Sequence, residues 1–485
     1  MNSPFDKAKY EALLKGLEAS EVRLSELDRK YIRIDSEYYS KQNLSNNYFF
    51  SRMICKNIAE VASVADGDHS KFPDNQLQEI RYLQAKDIRN HFIENDNPVF
   101  VGKEYFETQK RSHIHEEYIV LSIMGSVGDI AIIPKGFQPC IANRAVAIIK
   151  NIDGINPYYL FAFLSSKKGL QQIDKQKNGG VQQRINLDLL ANIKIPILPI
   201  PFQREIEKTV KQAHAKREQS QALYREAEAL LLESIGFSPQ ITRINTDTQS
   251  VEICGNLWTN INIKTFSQSF GATGRLDAEY YQKKYEAIIA LVKNYENGFC
   301  KLKDMGNFKN GSLISDKLYV ECGKRAYIRI KELSFNAPIS DNDVIFIDDT
   351  FISTNETTVN TNDFVFATIG ATIGKVNIIT EKYNNSFISN NTSRFRLKNK
   401  THNYFFYELL LRSFVVQEQI QREFTQTAQP KISNESLENI IIPLVDTAAQ
   451  ERIAGLIQKS FALRQASESL LKEAKAMVER EIEKI

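Results

Sequence analysis

The chain is poor in the residues that usually announce a chemistry. Its 485 residues include five cysteines, one tryptophan, five methionines and six histidines. The cysteines (Cys55, Cys140, Cys254, Cys300 and Cys322) are scattered, with no C-x-x-C pair. That argues against a thiolate zinc site and a disulfide framework, and fits a reducing, cytoplasmic setting. His69, His113 and His115 lie in polar stretches and read as surface residues rather than metal ligands. No apolar run is long enough to span a bilayer, and no signal peptide is expected. An excess of charge is missing too: 62 Lys and Arg face 59 Asp and Glu, a net +3. A nearly neutral sum neither demands nor excludes nucleic acid, because a local basic face is invisible in it. The length allows two or more domains with ample core.

What the chain has is repetition. A helix-forming stretch at about 201–234 (PFQREIEKTVKQ…) returns at about 447–485 (TAAQERIAGLIQ…). Gln203 and Gln450 correspond, at an offset of 247. At that offset Ile206, Val210, Ala213, Arg217, Ser220, Tyr224, Ala227 and Leu231 map to Ile453, Ile457, Ser460, Arg464, Ser467, Leu471, Ala474 and Val478. Spacings alternate between four and three, which keeps one stripe on one helix face. The pattern predicts two matching rods, each spanning about 50 Å, packed on one another.

Everything upstream of each rod repeats as well. RIDSEYY (33–39) is matched by RLDAEYY (275–281), and RYLQAKDI (81–88) by AYIRIKEL (326–333). YIVLSIMGSVGDIAII (118–133) and DFVFATIGATIGKVNII (363–379) predict buried hairpins, with Gly125, Gly128, Gly370 and Gly374 at positive φ or close backbone approaches. A phosphate cradle is disfavoured there, since no helix follows the glycines. CIANRAVAII (140–149) and FISNNTSRFRL (387–397) predict strands. A helix follows in each half, at 157–173 and 403–420, then a polar loop and short strand at 177–197 and 425–444. A short leading helix is expected within 1–20, and residues 237–258 read as a polar linker wandering over the surface. The expected order is a leading segment 1–30, a domain 31–200, a helix 201–236, a linker 237–272, a domain 273–446 and a helix 447–485.

The two halves share framework positions but differ in the polar loops between them, as a common scaffold with two different targets would. In its duplicated tag, glycine hairpin, Gln-containing loop and long helix, the chain resembles the specificity subunit of a Type I restriction–modification system. The resemblance runs from Arg33 onwards. It implies a mixed α/β fold: two similar target recognition domains separated by two long antiparallel coiled-coil helices, in a pseudo-two-fold repeat. It implies that each domain reads one part of a split site on double-stranded DNA, and that the subunit has no catalysis or cofactor of its own. It implies two methyltransferase (M) subunits as partners, binding S-adenosylmethionine, and restriction (R) nuclease–translocase subunits, with ATP and Mg also on partner subunits. Rods of about 50 Å would set two readers roughly one turn of DNA apart on one face of the duplex. That predicts a bipartite site with an unread gap.

Phosphates call for Lys and Arg, and base edges for Gln, Asn, Arg, Ser or Thr. The candidate DNA-binding residues of the first half are Lys71, Arg81, Lys110, Arg111, Lys177, Asn178, Gln182, Gln183 and Arg184. Those of the second are Lys309, Asn310, Lys317, Lys324, Arg325, Gln426, Gln429 and Lys431. Arg184 and Lys431 occupy the same repeat position. Two rival readings stand beside this one. INPYYL (155–160) tempts a methyltransferase reading, but it lacks the second proline of the amino-methyltransferase tetrapeptide, and no glycine-rich cofactor loop follows a strand. Asp348-Asp349 lacks the partners a nuclease metal site needs. A coiled-coil scaffold without base readout is the other, and twinned domains with divergent loops argue against it.

Overall fold

The computed structural model describes residues 10, 13–15, 17–27, 33–72, 79–94, 98–178, 183–237, 244–245, 250–253, 256–257, 262–341, 344–352, 355–399, 403–424 and 429–484. Among them the two longest helices are Ile200–Ser234, of 35 residues, and Thr447–Glu483, of 37. Both begin with the same device. The Gln203 side-chain amide donates back to the Leu198 carbonyl at 2.8 Å, and that of Gln450 to Val445 at 2.8 Å. The central helix ends on Gly236 at φ +82°, where Phe237 N–H returns to the Leu232 carbonyl at 2.8 Å. This left-handed cap answers carbonyls that the helix end would strand.

The alternating stripe forms the seam between the two helices. Each of its residues named above is buried except Arg464, which is half-buried. Serines at its middle let the backbones approach and bond across: Ser467 Oγ donates to the Ala213 carbonyl at 2.6 Å, and Ser460 Oγ to the Ser220 carbonyl at 2.7 Å. From the first pair to the second the number rises on one helix and falls on the other, so the helices are antiparallel. The chain divides into two compact units, Met1–Arg217 with Gln465–Ile485, and Glu218–Arg464. The cuts fall just after the two equivalent arginines, Arg217 and Arg464. Each long helix therefore gives half its length to each unit, rather than standing as a separate segment.

In the first unit a four-stranded sheet runs Ser63–Asp66, Val146–Lys150, Ile119–Ser122, Ile130–Ile132. A second runs Val99–Val101, Ile80–Leu83, Cys140–Ala142, His113–Ile114, with its middle pair parallel. In the second unit the matching sheet runs Gly306–Asn310, Thr392–Leu397, Phe364–Ala367, Val376–Ile378. Its companion has five strands and again one parallel pair, Arg325–Ile328 with Ser386–Ile388. In each unit a short antiparallel pair leads into a long helix: Cys55–Asn57 with Lys194–Pro196, and Phe299–Lys301 with Ile441–Pro443. The largest core of each unit packs one sheet face and the helices after it against half of the seam. Ile206, Val210, Ala213, Leu471 and Val478 join the first, and Tyr224, Leu231, Ile453 and Ile457 the second.

The glycine hairpins carry Gly125, Gly128, Gly370 and Gly374 at φ +80°, +110°, +91° and +93°. Asn156 of INPYYL is a helix cap: its side-chain oxygen accepts from Tyr158 and Tyr159 N–H at 2.9 and 3.2 Å, and Asn403 plays the same part at Phe406. One expectation changes. The linker is not featureless, because Ile244–Asn245, Ser250–Ile253 and Asn256–Leu257 form a three-stranded antiparallel meander. The β-branched Ile244, Val251 and Ile253 favour strands, which a reading of polarity alone passes over. The leading helix expected in 1–20 falls largely outside the described residues, though Tyr10 and Leu13 are helical. Among the described residues no helix is long and apolar enough to cross a membrane.

Candidate nucleic-acid interface

The polar loop after the helix Lys167–Lys175 is tied down at both ends. Asn178 and Arg184 exchange both backbone hydrogen bonds, at 2.8 and 2.9 Å. Arg184 also bridges to Met124, beside Gly125 of the hairpin, and Ile185 N–H donates to the Ile123 carbonyl at 3.1 Å. The second unit repeats the contact with the hairpin. Lys431 bridges to Ile369, beside Gly370; Gly370 N–H donates to the Pro430 carbonyl and Ile432 N–H to the Thr368 carbonyl, both at 3.0 Å. Gln183, Arg184, Gln429 and Lys431 are exposed. Gln182 and Gln426 lie outside the described residues. Lys177 and Asn178 are half-buried: Lys177 pairs with Asp174 at 2.6 Å, and the Asn178 side-chain oxygen accepts from Arg33 at 2.7 Å.

A second polar group forms where the loop after strand Ser63–Asp66 meets residues 109–111. Lys71, Lys110 and Arg111 are exposed there. The Asp66 carboxylate takes Arg111 at 2.7 Å and His69 at 2.6 Å, and Gln109 reaches the Ser70 hydroxyl at 3.5 Å. Asp68 anchors the loop from beneath, accepting from the phenols of Tyr82 and Tyr105 and from Ser70 N–H. Burial alone would raise its pKa, but these hydrogen bonds outweigh it and hold the carboxyl below its ordinary range. His113 stacks on Phe106 with ring centres 3.8 Å apart. His115 is exposed.

Arg81 lies within the strand Ile80–Leu83. It is half-buried in its strand beside Cys140, and its Nε and one Nη are buried with no hydrogen-bond partner among the described residues. Burial pushes the Cys140 thiol up to about 12 in spite of that cation. In the second unit Lys317 and Lys324 are exposed. Arg325 is committed to the fold: its guanidinium donates to the Phe351 carbonyl and lies 4.7 Å from the centre of the Phe387 ring. Lys309 and Asn310 are exposed on the strand Gly306–Asn310.

Directly across from Lys309 stands a residue that the sequence pattern did not single out, Arg394. It is half-buried, donates to the Thr358 carbonyl at 3.3 Å and keeps a buried Nε with no hydrogen-bond partner among the described residues. Burial and the nearby Arg396 both push its pKa down. Arg396 itself is paired with Asp363 at 2.6 Å. Like charges directly opposite on neighbouring strands destabilise a sheet. The signal was in the sequence: FISNNTSRFRL places Arg394 where CIANRAVAII has the apolar Ile148.

The chain is similar to known proteins over part or most of its length. The chain is 25% identical over 191 residues to the Type I restriction enzyme EcoBI specificity subunit of Escherichia coli, covering 39% of this chain and 38% of that one. It is 32% identical over 98 residues to a putative type I restriction enzyme MjaX specificity subunit of Methanocaldococcus jannaschii, covering 20% and 22%. The chain thus spans well under half the length of either curated relative. A crystal structure of a Type-I restriction-modification system S subunit from M. genitalium is similar over 87% of this chain and 92% of that one, at 14% identity and a TM-score of 0.36. The HsdS subunit from Thermoanaerobacter tengcongensis is similar over 88% and 95%, at 12% identity and a TM-score of 0.28. The model of the Type I restriction modification DNA specificity domain matches residues 51–229 and again 294–475, once in each half. With both halves matched, the chain belongs to the Type I restriction modification DNA specificity family.

Proposed function

We propose that this chain is a DNA-reading subunit in which each half recognises one part of a bipartite site. The observation that carries the reading is the twice-made pairing of a polar loop with a glycine hairpin. Each presents an exposed cation at the same repeat position, Arg184 in one half and Lys431 in the other. A loop with fixed ends holds its donors in register against base edges, and exposed Lys and Arg nearby meet phosphates. Lys71, Lys110 and Arg111 serve the first half in this way, and Lys309, Asn310, Lys317, Lys324 and Arg394 the second.

In this reading residues 31–200 and 273–446 are the two recognition domains, and the paired helices set the gap between the two parts of the site. The same helices dock two methyltransferase subunits. Methyl transfer from S-adenosylmethionine, and ATP- and Mg-dependent cleavage by restriction subunits, belong to those partners, so this chain supplies address rather than chemistry. The work is done inside the cell, in the cytoplasm.

The test is methylation mapping with the chain assembled on its methyltransferase partners. Arg184→Ala is expected to relax one part of the recognised sequence and Lys431→Ala the other. Removing one heptad from both long helices is expected to shorten the gap and leave both parts intact. Substitutions that change neither part, together with a gap indifferent to helix length, would overturn the proposal.

A further inference from the structure

The duplicated tag is the motif that the proposed function leaves unused, and both copies make the same contacts. Arg33 forks onto Asp35 at 2.6 and 3.1 Å, and Arg275 onto Asp277 at 2.8 and 2.6 Å. Each guanidinium lies over the first tyrosine of its own tag, 4.6 Å from the Tyr38 ring centre and 4.3 Å from that of Tyr280. Each of those rings also takes a second cation. It comes from the last turn of the helix before the polar loop: Lys175 at 4.1 Å in the first unit, Arg422 at 4.1 Å in the second. Each tag arginine then reaches the backbone where that loop starts. Arg33 meets the Lys177 carbonyl at 3.5 Å and the Asn178 side chain at 2.7 Å; Arg275 meets the Phe424 carbonyl at 2.9 Å.

Lys175 and Arg422 stand 247 residues apart, as do Lys177 and Phe424. The correspondence is therefore residue for residue and joins parts of the chain more than a hundred positions distant. Arg33 is enclosed, with 13% of its side chain exposed, and Arg275 with 23%. A guanidinium can hold a carboxylate in a fork, lie on a ring and still donate to a carbonyl, which an ammonium cannot match.

We propose that the R-x-D-x-E-Y-Y tag is a clasp that positions the reading loop of its own half, with Arg33 and Arg275 as its positioning residues. The clasp holds the start of the loop, and the glycine hairpin holds its end at Arg184 or Lys431. With both ends fixed, the exposed side chains near the hairpin meet the duplex in one register. This inference rests on the reading of those loops as the base readers. The clasp itself touches no DNA. Loosening it costs discrimination in one half of the site and leaves the electrostatic part of binding alone.

The experiment uses the full chain assembled with its methyltransferase partners, in two readouts. In the first, hydrogen exchange without DNA, Arg33→Ala is expected to raise exchange at Asn178 and Arg184 at least tenfold while Gly370 and Ile432 keep their rates. Arg275→Ala is expected to do the reverse. In the second, methylation of duplexes mismatched in one half, Arg33→Ala is expected to relax discrimination about tenfold in the half that Arg184→Ala relaxes. The salt dependence of binding stays unchanged. Arg33→Lys does not rescue, and Asp35→Asn, a milder change, gives a smaller effect of the same sign. Unchanged exchange in both arginine variants overturns the clasp. If exchange rises but neither Arg33→Ala nor Arg184→Ala alters discrimination, the proposal also falls, and it is then the loop's role as reader that has failed.

Discussion

Across the four strands of the matching sheets, one cross-strand row reads Ala65, Ile148, Val120, Ala131 in the first unit and Lys309, Arg394, Val365, Asn377 in the second. Order and register are the same, yet one row is apolar and the other carries two cations and an amide. Asn377 is fully buried and spends its amide on backbone, accepting from Ser334 N–H at 2.8 Å and donating to the Ala337 carbonyl at 2.7 Å. The same split runs through the helix that follows. Phe161 and Ser165 are buried in the first unit; their repeat partners Glu408 and Arg412 are a buried ion pair at 2.6 Å in the second. Arg412 also donates to the Val376 and Ala337 carbonyls, at 2.8 and 2.9 Å. A duplicated backbone has thus kept its hydrogen-bond ladders while exchanging the means by which a neighbouring loop is fastened, greasy in one copy and ionic in the other.

At the seam an ionic fastening stands in the first unit. Arg217 is buried and holds Glu94 through two hydrogen bonds of 2.5 Å, with Glu468 at 3.1 Å and the Phe92 ring beneath it at 4.5 Å. Glu94 follows a tight hairpin whose turn, Asn90 and His91, lies at φ +51° and +70°. That turn sets His91 beside Lys475 at 2.9 Å and Phe92 against His214. In the second unit the matching partners are Arg464, half-buried, and Phe461, which stacks on Tyr224.

These differences can be broken one at a time. The largest effect is expected at Glu408→Ala. It strands a buried guanidinium and should cost the second unit about 3–5 kcal/mol, read by chemical denaturation. Glu408→Phe with Arg412→Ser, which copies the first unit, is expected to cost less than the single change. Next, Arg217→Ala leaves Glu94 without its fork and is expected to cost about 3 kcal/mol.

The third test uses pH. Burial, with Lys475 and Arg217 respectively, pulls His91 and His214 down to about 4. Their folded pKa lies below the unfolded value of about 6.5, so between these limits the unfolded chain binds more protons. Stability should therefore be full above pH 6.5 and fall as the pH drops towards 4, by on the order of 2 kcal/mol per histidine. Hydrogen exchange at pH 5 should show the first unit loosening before the second. His214→Phe, borrowing the residue of Phe461, should flatten the trend, and a pH response equal in both units would contradict this account. The smallest effect is expected from Lys309→Ala with Arg394→Ile, which copies the first unit's row. Stability should shift by less than about 1 kcal/mol. The slope of log binding against log salt should lessen by about one for each phosphate that is no longer neutralised.

Much of this architecture could be read before any coordinate. The alternating stripe from Ile206 to Leu231, its echo from Ile453 to Val478 and the paired glycines of the hairpins are local periodicities, and a period follows from backbone geometry alone. Where each candidate lies could not be read from the order of residues. Arg184 and Lys431 lie on the anchored loops, Arg81 sits half-buried in a strand, Arg325 is spent on Phe351, and Arg394 went unnoticed inside a strand signal.

By itself, then, the sequence determined the doubling, the element order and the faces that had to be buried, because each follows from spacing along the chain. Only the tertiary structure decided which partner each buried charge received: Glu94 for Arg217, Glu408 for Arg412, the start of a loop for Arg33 and Arg275. Those choices depend on how loops close over long separations. A guanidinium has donors for several acceptors, and nothing in the order of residues says which of them folding will bring within 3 Å.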